Sequence, residues 1–327
     1  MTTKVLLDVR GLSVRFAMPR QSLFGQRPVL HAVRDISFSL QSGRTLGLVG
    51  ESGSGKTTAA MAAIRLTAAQ AGSVLFDDVD LLKLDAESMR QRRRHLQVIF
   101  QDPYSSLNPR ERVGAIVREP LDLMMPEFSR SDREKRVREL FGLVGLRPDQ
   151  MALFPHQFSG GQRQRVSIAR ALATNPRLIV CDEPVSALDV AIQAQILNLL
   201  RRLQDDHKLS YLFISHDLGV VQFICDDIAV MYLGQIVELA DRPTLFSRPR
   251  HPYTAALLSA APSLARRKSA GYVRAGAVKG DPPSPLNIPV GCAFASRCPC
   301  AQPKCREERP VLRPYIESSV ACHYPLD

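Results

Sequence analysis

The chain has 327 residues, enough for two domains or for one large domain with an appendage. Hydrophobic residues make up 45% and charged residues 23%, a balance that excludes a disordered or collagen-like chain. The formal net charge of +11 invites a polyanionic partner, whether nucleotide, nucleic acid or acidic lipid, and charge alone does not choose among them.

The stretch from Met1 to Gly11 holds one short apolar run followed by Asp8 and Arg10, without the apolar core or small-residue cleavage site of a secretory signal. The protein is therefore expected to stay in the compartment where it is made. The longest apolar candidate, Val220 to Val237, is broken by Asp226 and Asp227 and falls short of the roughly 18 uninterrupted residues a spanning helix needs. The chain is not expected to cross a membrane by itself.

Short apolar runs at Thr45–Val49, Leu96–Phe100, Leu178–Cys181 and Tyr211–Ile214 each end in polar residues or glycine and predict buried strands. Between Pro109 and Asn175 the periodicity is helical almost throughout, clearest over Arg133–Leu146 and Gln162–Ala173. Ala191–Leu203 sets Ile192, Ile196, Leu199, Leu200 and Leu203 on one helical face, which reads as packing. Strands alternating with helices describe an α/β protein with a mainly parallel sheet. The pattern ends near residue 276: five of the seven cysteines and nine of the 23 prolines lie beyond it.

The first strand runs into Gly50-Glu51-Ser52-Gly53-Ser54-Gly55-Lys56-Thr57, with a helix predicted over Thr58–Arg65. This is G-x-x-x-x-G-K-[ST] in the context the motif requires. Glycines let consecutive backbone N–H groups turn inward, and the helix adds its positive N-terminal end, so phosphate oxygens fit there. Lys56 would reach the β- and γ-phosphates, and the Thr57 hydroxyl would complete part of a Mg²⁺ shell. The competing reading, an ordinary glycine-rich turn with an incidental lysine, lacks an explanation for the strand Leu178–Cys181 ending in Asp182-Glu183. There Asp182 suits the metal side and Glu183 suits a general base on the attacking water. Lys56 and Asp182 are 126 positions apart, so a largely helical subdomain is inserted between them. Within it, Phe158-Ser159-Gly160-Gly161-Gln162 precedes a helix that Ser159 could cap, and the glycine amides there offer a second anion site. Two separated phosphate sites in one chain suggest that each serves a different copy.

These residues resemble the nucleotide-binding subunits of ATP-binding cassette transporters, over most of the chain. Gly50–Thr57 looks like the Walker A loop, Gln101 the Q-loop glutamine, Phe158–Gln162 the signature, Leu178–Glu183 the Walker B strand, Ser186-Ala187-Leu188-Asp189 the D-loop, and His216 the switch histidine, all in family order. The resemblance implies an α/β P-loop NTPase with a RecA-like core, an antiparallel β-subdomain, an inserted helical subdomain at about residues 102–175, and a Cys/Pro-rich C-terminal extension. Residues 1–260 would form the nucleotide-binding domain and 261–327 the extension. It further implies ATP held by Gly50, Glu51, Ser52, Gly53, Ser54, Gly55, Lys56, Thr57 and Thr58, with Gln101, and Mg²⁺ held by Thr57, Gln101 and Asp182. Ser159, Gly160, Gly161, Gln162 and Asp189 would complete the site of a second cassette, closing head to tail. Lys56, Glu183 and His216 would carry the catalysis. Phe16 stands where the family has an adenine-stacking aromatic; an ordinary core aromatic is the equal alternative.

Phe100–Pro109, Cys181–Leu200, His251–Leu258 and Pro283–Asn287 are similar to the dipeptide and oligopeptide importer cassettes, and the longer segment Ala17–Val29 is similar to their F-type rather than D-type subunit. Such subunits pair as a D/F heterodimer beneath two transmembrane permeases on the cytoplasmic face of the membrane, with a periplasmic or extracellular protein delivering peptide. Two rivals remain: the same role for another small solute such as a metal chelate, and a soluble cassette ATPase acting on nucleic acid. The second lacks the paired cassettes or long insertions usual there, so no nucleic acid is expected and an anionic membrane surface is the better match for the basic charge.

Cys292, Cys298, Cys305 and Cys322 are spaced C-x5-C-x6-C-x16-C, and Cys300 makes an extra Cys-Pro-Cys. Thiolate coordination is the stronger reading for a cytosolic chain, but the spacing fits neither ordinary zinc modules nor the compact ferredoxin run. Zinc and iron–sulfur stay open on spacing. The resemblance to the peptide-importer tail implies a [4Fe–4S] cluster on Cys292, Cys298, Cys305 and Cys322, with Cys300 a spare thiol.

Overall fold

Apolar alternation builds the first long strand, β1 (Val5–Ala17), in which Leu7 and Val9, then Leu12 and Val14, are fully buried. The phase of burial slips between the two pairs, where Gly11 adopts φ +59° and the pairing register shifts between Arg10 and Ser13. The computed structural model describes residues 4–19, 27–260, 280 and 283–327. Two units can be distinguished, one of Leu40–Thr45 with Lys83–Phe213, the other of Val5–Ser39, Leu46–Leu82 and Ile214–Asp327.

In the latter unit β1 is followed by β2 (Val29–Gln41), β3 (Thr45–Val49), α1 (Lys56–Ala63), β4 (Ala71–Phe76) and β5 (Val79–Asp80). A four-stranded sheet has the order β2-β1-β4-β5, with Leu7 opposite Phe76 and Val9 opposite Val74. Asp77 and Asp78 close the β4–β5 hairpin at φ +51° and +66°, the paired left-handed residues a two-residue turn needs. Part of the segment Ala17–Val29, residues 20–26, lies outside the described residues.

The other unit carries α2 (Ala86–Arg93), β6 (Leu96–Ile99), α3 (Val113–Met124), α4 (Arg130–Leu143), α5 (Gly160–Leu172), β7 (Leu178–Asp182), α6 (Val190–His207) and β8 (Ser210–Ser215). β6 and β7 pair in parallel, Leu96 with Leu178 and Ile99 with Cys181, and every residue of β7 is buried. Helices α3, α4 and α5 pack on one another, and Val117, Leu121, Leu140, Phe141 and Val166 on them are fully buried. The expected strands appear where apolar runs predicted them. The expected helix at Arg133–Leu146 starts three residues earlier, because Ser129 and Asp132 form a reciprocal capping box.

The chain then returns to the unit that holds β1 with α7 (Leu218–Ile224), β9 (Asp227–Tyr232), β10 (Gln235–Asp241), α8 (Arg242–Ser247), α9 (Pro252–Ala260), α10 (Pro303–Glu307), β11 (Arg313–Tyr315) and β12 (Ser318–Val320). β3 runs parallel to β9, Leu46 opposite Asp227, while β10 pairs antiparallel with both β9 and β12. The C-terminal extension therefore adds two strands beside β10, β12 against it and β11 at the edge. Phe294 packs among Tyr232 and Tyr253, with ring centroids 5.3 Å from each, and all three rings are buried. Among the described residues no helix is long and apolar enough to cross a membrane.

Candidate nucleotide-binding site

The phosphate loop leaves the fully buried β3 and enters α1 through Gly55, which caps the helix at φ +97°. Glycine is required at two points. A Cβ at Gly50, φ +151°, would strike the Met231 carbonyl, and one at Gly55 would strike the Ala32 carbonyl. Lys56 is buried, and its Nζ donates to the carbonyl oxygens of Gly50 and Glu51 at 2.9 Å each and to Ser54 Oγ at 3.4 Å. The ammonium is thus folded back into its own loop, while Ser52, Gly53 and Thr57 are exposed. Thr58 is half-buried in the first turn of α1.

In the same unit Phe16 lies on β1 and is 40% exposed, so it is not a core aromatic. His216 is exposed at the end of β8, and the next residue, Asp217, caps α7 by accepting from Gly219 N–H at 2.7 Å.

The other unit brings Gln101, Asp182 and Glu183 together at the ends of β6 and β7. Asp182 is buried, and Gln101 Nε2 donates to Glu183 Oε2 at 2.9 Å. Glu183 holds φ +45°, a left-handed conformation that is strained for a side chain this large and recurs at functional positions. Its carbonyl accepts from the Ser186 hydroxyl at 3.0 Å, which ties the strand end to the D-loop residues. Asp189 caps α6 through Ile192 N–H at 2.9 Å. Ser159 caps α5: its Oγ accepts from Gln162 N–H at 3.3 Å while its own N–H donates to Gln162 Oε1 at 3.0 Å. Ser159 is exposed, and Gly160 and Gly161 follow in the first turn. Gly161 is fixed by packing, since a Cβ there would come within 2.5 Å of Ile192 Cγ2.

The five tail cysteines, 292, 298, 300, 305 and 322, line one small cavity of about 10 Å³ together with His251 and Phe294. Cys300, which the resemblance left as a spare thiol, belongs to the same lining. Burial raises the Cys298 thiol to about 12 and the Cys322 thiol to about 11, and neighbouring cysteines add to both shifts. His251 is buried; its Nδ1 accepts from Tyr253 N–H at 3.0 Å, and its Nε2 has no hydrogen-bond partner. Among the described residues no three His, Cys, Asp or Glu side chains stand in a metal-binding arrangement, so the expected [4Fe–4S] cluster has no preformed ligand set in this conformation.

Glu51, expected among the ATP-binding residues of the loop, has partners that the sequence does not reveal. Arg297 Nη1 and Nη2 donate to the two carboxylate oxygens of Glu51 at 2.9 and 3.1 Å, and Tyr253 Oη accepts from Glu51 N–H at 2.9 Å. One signal was available: a carboxylate within a phosphate-binding loop needs a neutralising cation.

Residues 33–186 match the family model described as ABC transporter, and residues 237–305 match the one described as the C-terminal region of oligopeptide/dipeptide transporters. The chain is 47% identical to the oligopeptide transport ATP-binding protein AppF of Bacillus subtilis, covering 98% of this chain and 97% of that one. It is 43% identical to the di/tripeptide transport ATP-binding protein DppF of Pseudomonas aeruginosa, covering 98% of both. Among solved structures it is similar to a dimeric ATP-binding cassette in a post-hydrolysis state bound to ADP and phosphate, with TM-score 0.64, 27% identity, and coverage of 72% of this chain and 98% of that one.

Proposed function

Because the chain belongs to the ATP-binding proteins of the oligopeptide and dipeptide ABC transporters, we propose that it binds and hydrolyses ATP to energise import of small peptides. The observation that carries this reading is the phosphate loop itself: glycines forced by carbonyl contacts, and a buried Lys56 held by three loop oxygens that a phosphate would replace.

Hydrolysis is in-line attack of water on the γ-phosphate. Lys56 and the loop amides take up charge on the β- and γ-phosphates, Glu183 accepts the proton of the attacking water, and His216 orients it. Thr57, Gln101 and Asp182 would hold Mg²⁺, which supplies charge compensation on the phosphates. Phe16 stacks on adenine. Ser159, Gly160, Gly161, Gln162 and Asp189 serve the nucleotide of a second cassette, which we take to be a D-type partner in a heterodimer. Closure on ATP and reopening after hydrolysis then bias two permeases between conformations, with peptide delivered by a periplasmic or extracellular binding protein. The +11 charge suits a peripheral position on the cytoplasmic face against anionic lipid. We take residues 1–260 as the nucleotide-binding domain, with a helical subdomain at about 102–175, and 261–327 as the extension; residues 261–279 lie outside those described.

Cys292, Cys298, Cys305 and Cys322 would hold a [4Fe–4S] cluster, whose contribution is a covalent cross-link within the tail. Two features support a sulfur-rich guest: thiols from three separate stretches of the tail share one cavity, and the unpartnered Nε2 of the buried His251 borders it. Ligation requires the thiols to rearrange around the cluster.

The main reading is tested with purified protein. ATP should bind and be hydrolysed, and Lys56→Ala should lower ATP affinity and abolish hydrolysis, with loss of peptide uptake in cells. Uptake that survives Lys56→Ala would overturn it.

A further inference from the structure

Glu51 puts a carboxylate inside a loop built to receive phosphate, where an uncompensated negative charge would repel the ligand. All three of its polar groups are held. The carboxylate takes both terminal nitrogens of Arg297 in a forked pair, the main-chain N–H donates to Tyr253 Oη, and the carbonyl accepts from Lys56 Nζ. Arg297 and Tyr253 both come from beyond residue 250, far from the loop in sequence. The Arg297 side chain is only 9% exposed, its Nη1 also donates to Tyr232 Oη at 3.3 Å, and its Nε is buried without a partner, so Glu51 is its main electrostatic anchor.

We propose that Arg297 and Tyr253 are positioning residues for nucleotide binding: from the C-terminal extension and α9 they fix Glu51, neutralise it and so set the phosphate loop for ATP. The inference rests on the chain's being an ATP-binding cassette. Arg297 immediately precedes Cys298, so order in the cysteine segment reaches the nucleotide site through one peptide bond and one ion pair. Neither residue touches phosphate; each acts through Glu51.

Equilibrium ATP binding and steady-state hydrolysis on the full chain test this. Arg297→Ala exposes the loop to an unneutralised Glu51 and should weaken ATP binding on the order of tenfold. KM for ATP should rise accordingly, while kcat at saturating ATP changes less than about twofold. Glu51→Gln removes the repulsion, so the double variant Arg297→Ala/Glu51→Gln should bind ATP more tightly than Arg297→Ala alone, and Arg297→Lys should recover part of the loss. A purely structural role for Arg297 in the tail would not produce rescue by Glu51→Gln. Tyr253→Phe, which removes the acceptor for the Glu51 N–H without altering charge, should weaken binding by about threefold and decides the matter if Arg297→Ala does not fold. Unchanged affinity in Arg297→Ala or in Tyr253→Phe, or equal losses from Arg297→Ala with and without Glu51, overturns the clamp. Absence of ATP binding by the unaltered chain would instead overturn the underlying reading.

Discussion

Glu183 carries two constraints of different origin. Its backbone sits at φ +45°, and its carboxylate accepts from Gln101 Nε2 at 2.9 Å. The hydrogen bond from a neutral amide orients the carboxylate without supplying positive charge, so the group keeps its basicity toward a water proton. Glu183→Gln keeps an acceptor for Gln101 and the same shape while removing the basic oxygen. ATP hydrolysis should fall by about 10²- to 10³-fold with ATP affinity within a few-fold of the unaltered chain. Parallel loss of binding and turnover would assign Glu183 to the ground state instead. At this scale the sequence was most legible where chemistry dictates residue type at fixed spacing: Lys56, Asp182, Glu183 and Ser159 stand on the strand ends and helix starts expected of them. Phe16 was undecidable from sequence because an aromatic on an alternating strand is equally apt to face in or out. Arg297 was invisible because its partner is 246 residues away, and one arginine beside a cysteine carries no pattern.

Elements were legible to the extent that they were apolar and periodic. The buried strands β3, β7 and β8 follow their hydrophobic runs, and α6 buries the predicted Ile196, Leu199, Leu200 and Leu203. Boundaries set by side-chain caps moved instead: Ser129 opens α4 before its apolar stripe begins. The contact between α5 and α6 shows a glycine used for packing rather than for backbone freedom. Gly161 meets Ile192 where a Cβ would come within 2.5 Å of Cγ2, so the first turn of α5 can approach α6 only without a side chain. Gly161→Ala should destabilise the protein by about 1–3 kcal/mol, read as a lower midpoint in denaturant. Ile192→Ala removes the opposing methyl, so the double variant should be more stable than the sum of the single effects predicts. Strict additivity would show that the helices simply shift apart.

For the molecule as a whole, the tail is where sequence reasoning reached furthest beyond composition and was most revised. A proline-rich segment with little apolar periodicity was expected to depend on thiolate ligation for its fold. The structure adds attachments of other kinds. β12 pairs with β10, Glu238 opposite Val320, and Phe294 is buried between Tyr232 and Tyr253. Strands of three residues containing Pro and Ser give no alternation to read, which is why β11 and β12 escaped notice. The attachments divide the tail into a part held by the sheet and a part, around Cys292–Cys305, whose main-chain links include Cys292 N–H to the Cys305 carbonyl at 2.7 Å. If the proposed cluster is bound, its loss should therefore loosen the second part and spare the first. Anaerobically purified protein should be brown, absorb broadly near ~400 nm and carry about four irons per chain. Cys292→Ser should lose the iron and speed hydrogen exchange across the cysteine segment, while amides of the β10–β12 ladder keep their protection. Colourless protein with stoichiometric zinc would refute the cluster, and exchange that accelerates equally along β12 would show that ligation, not strand pairing, holds the end of the chain. Because Arg297 lies inside the loosened segment, the same variant should also bind ATP more weakly, linking the state of the cysteines to the phosphate loop.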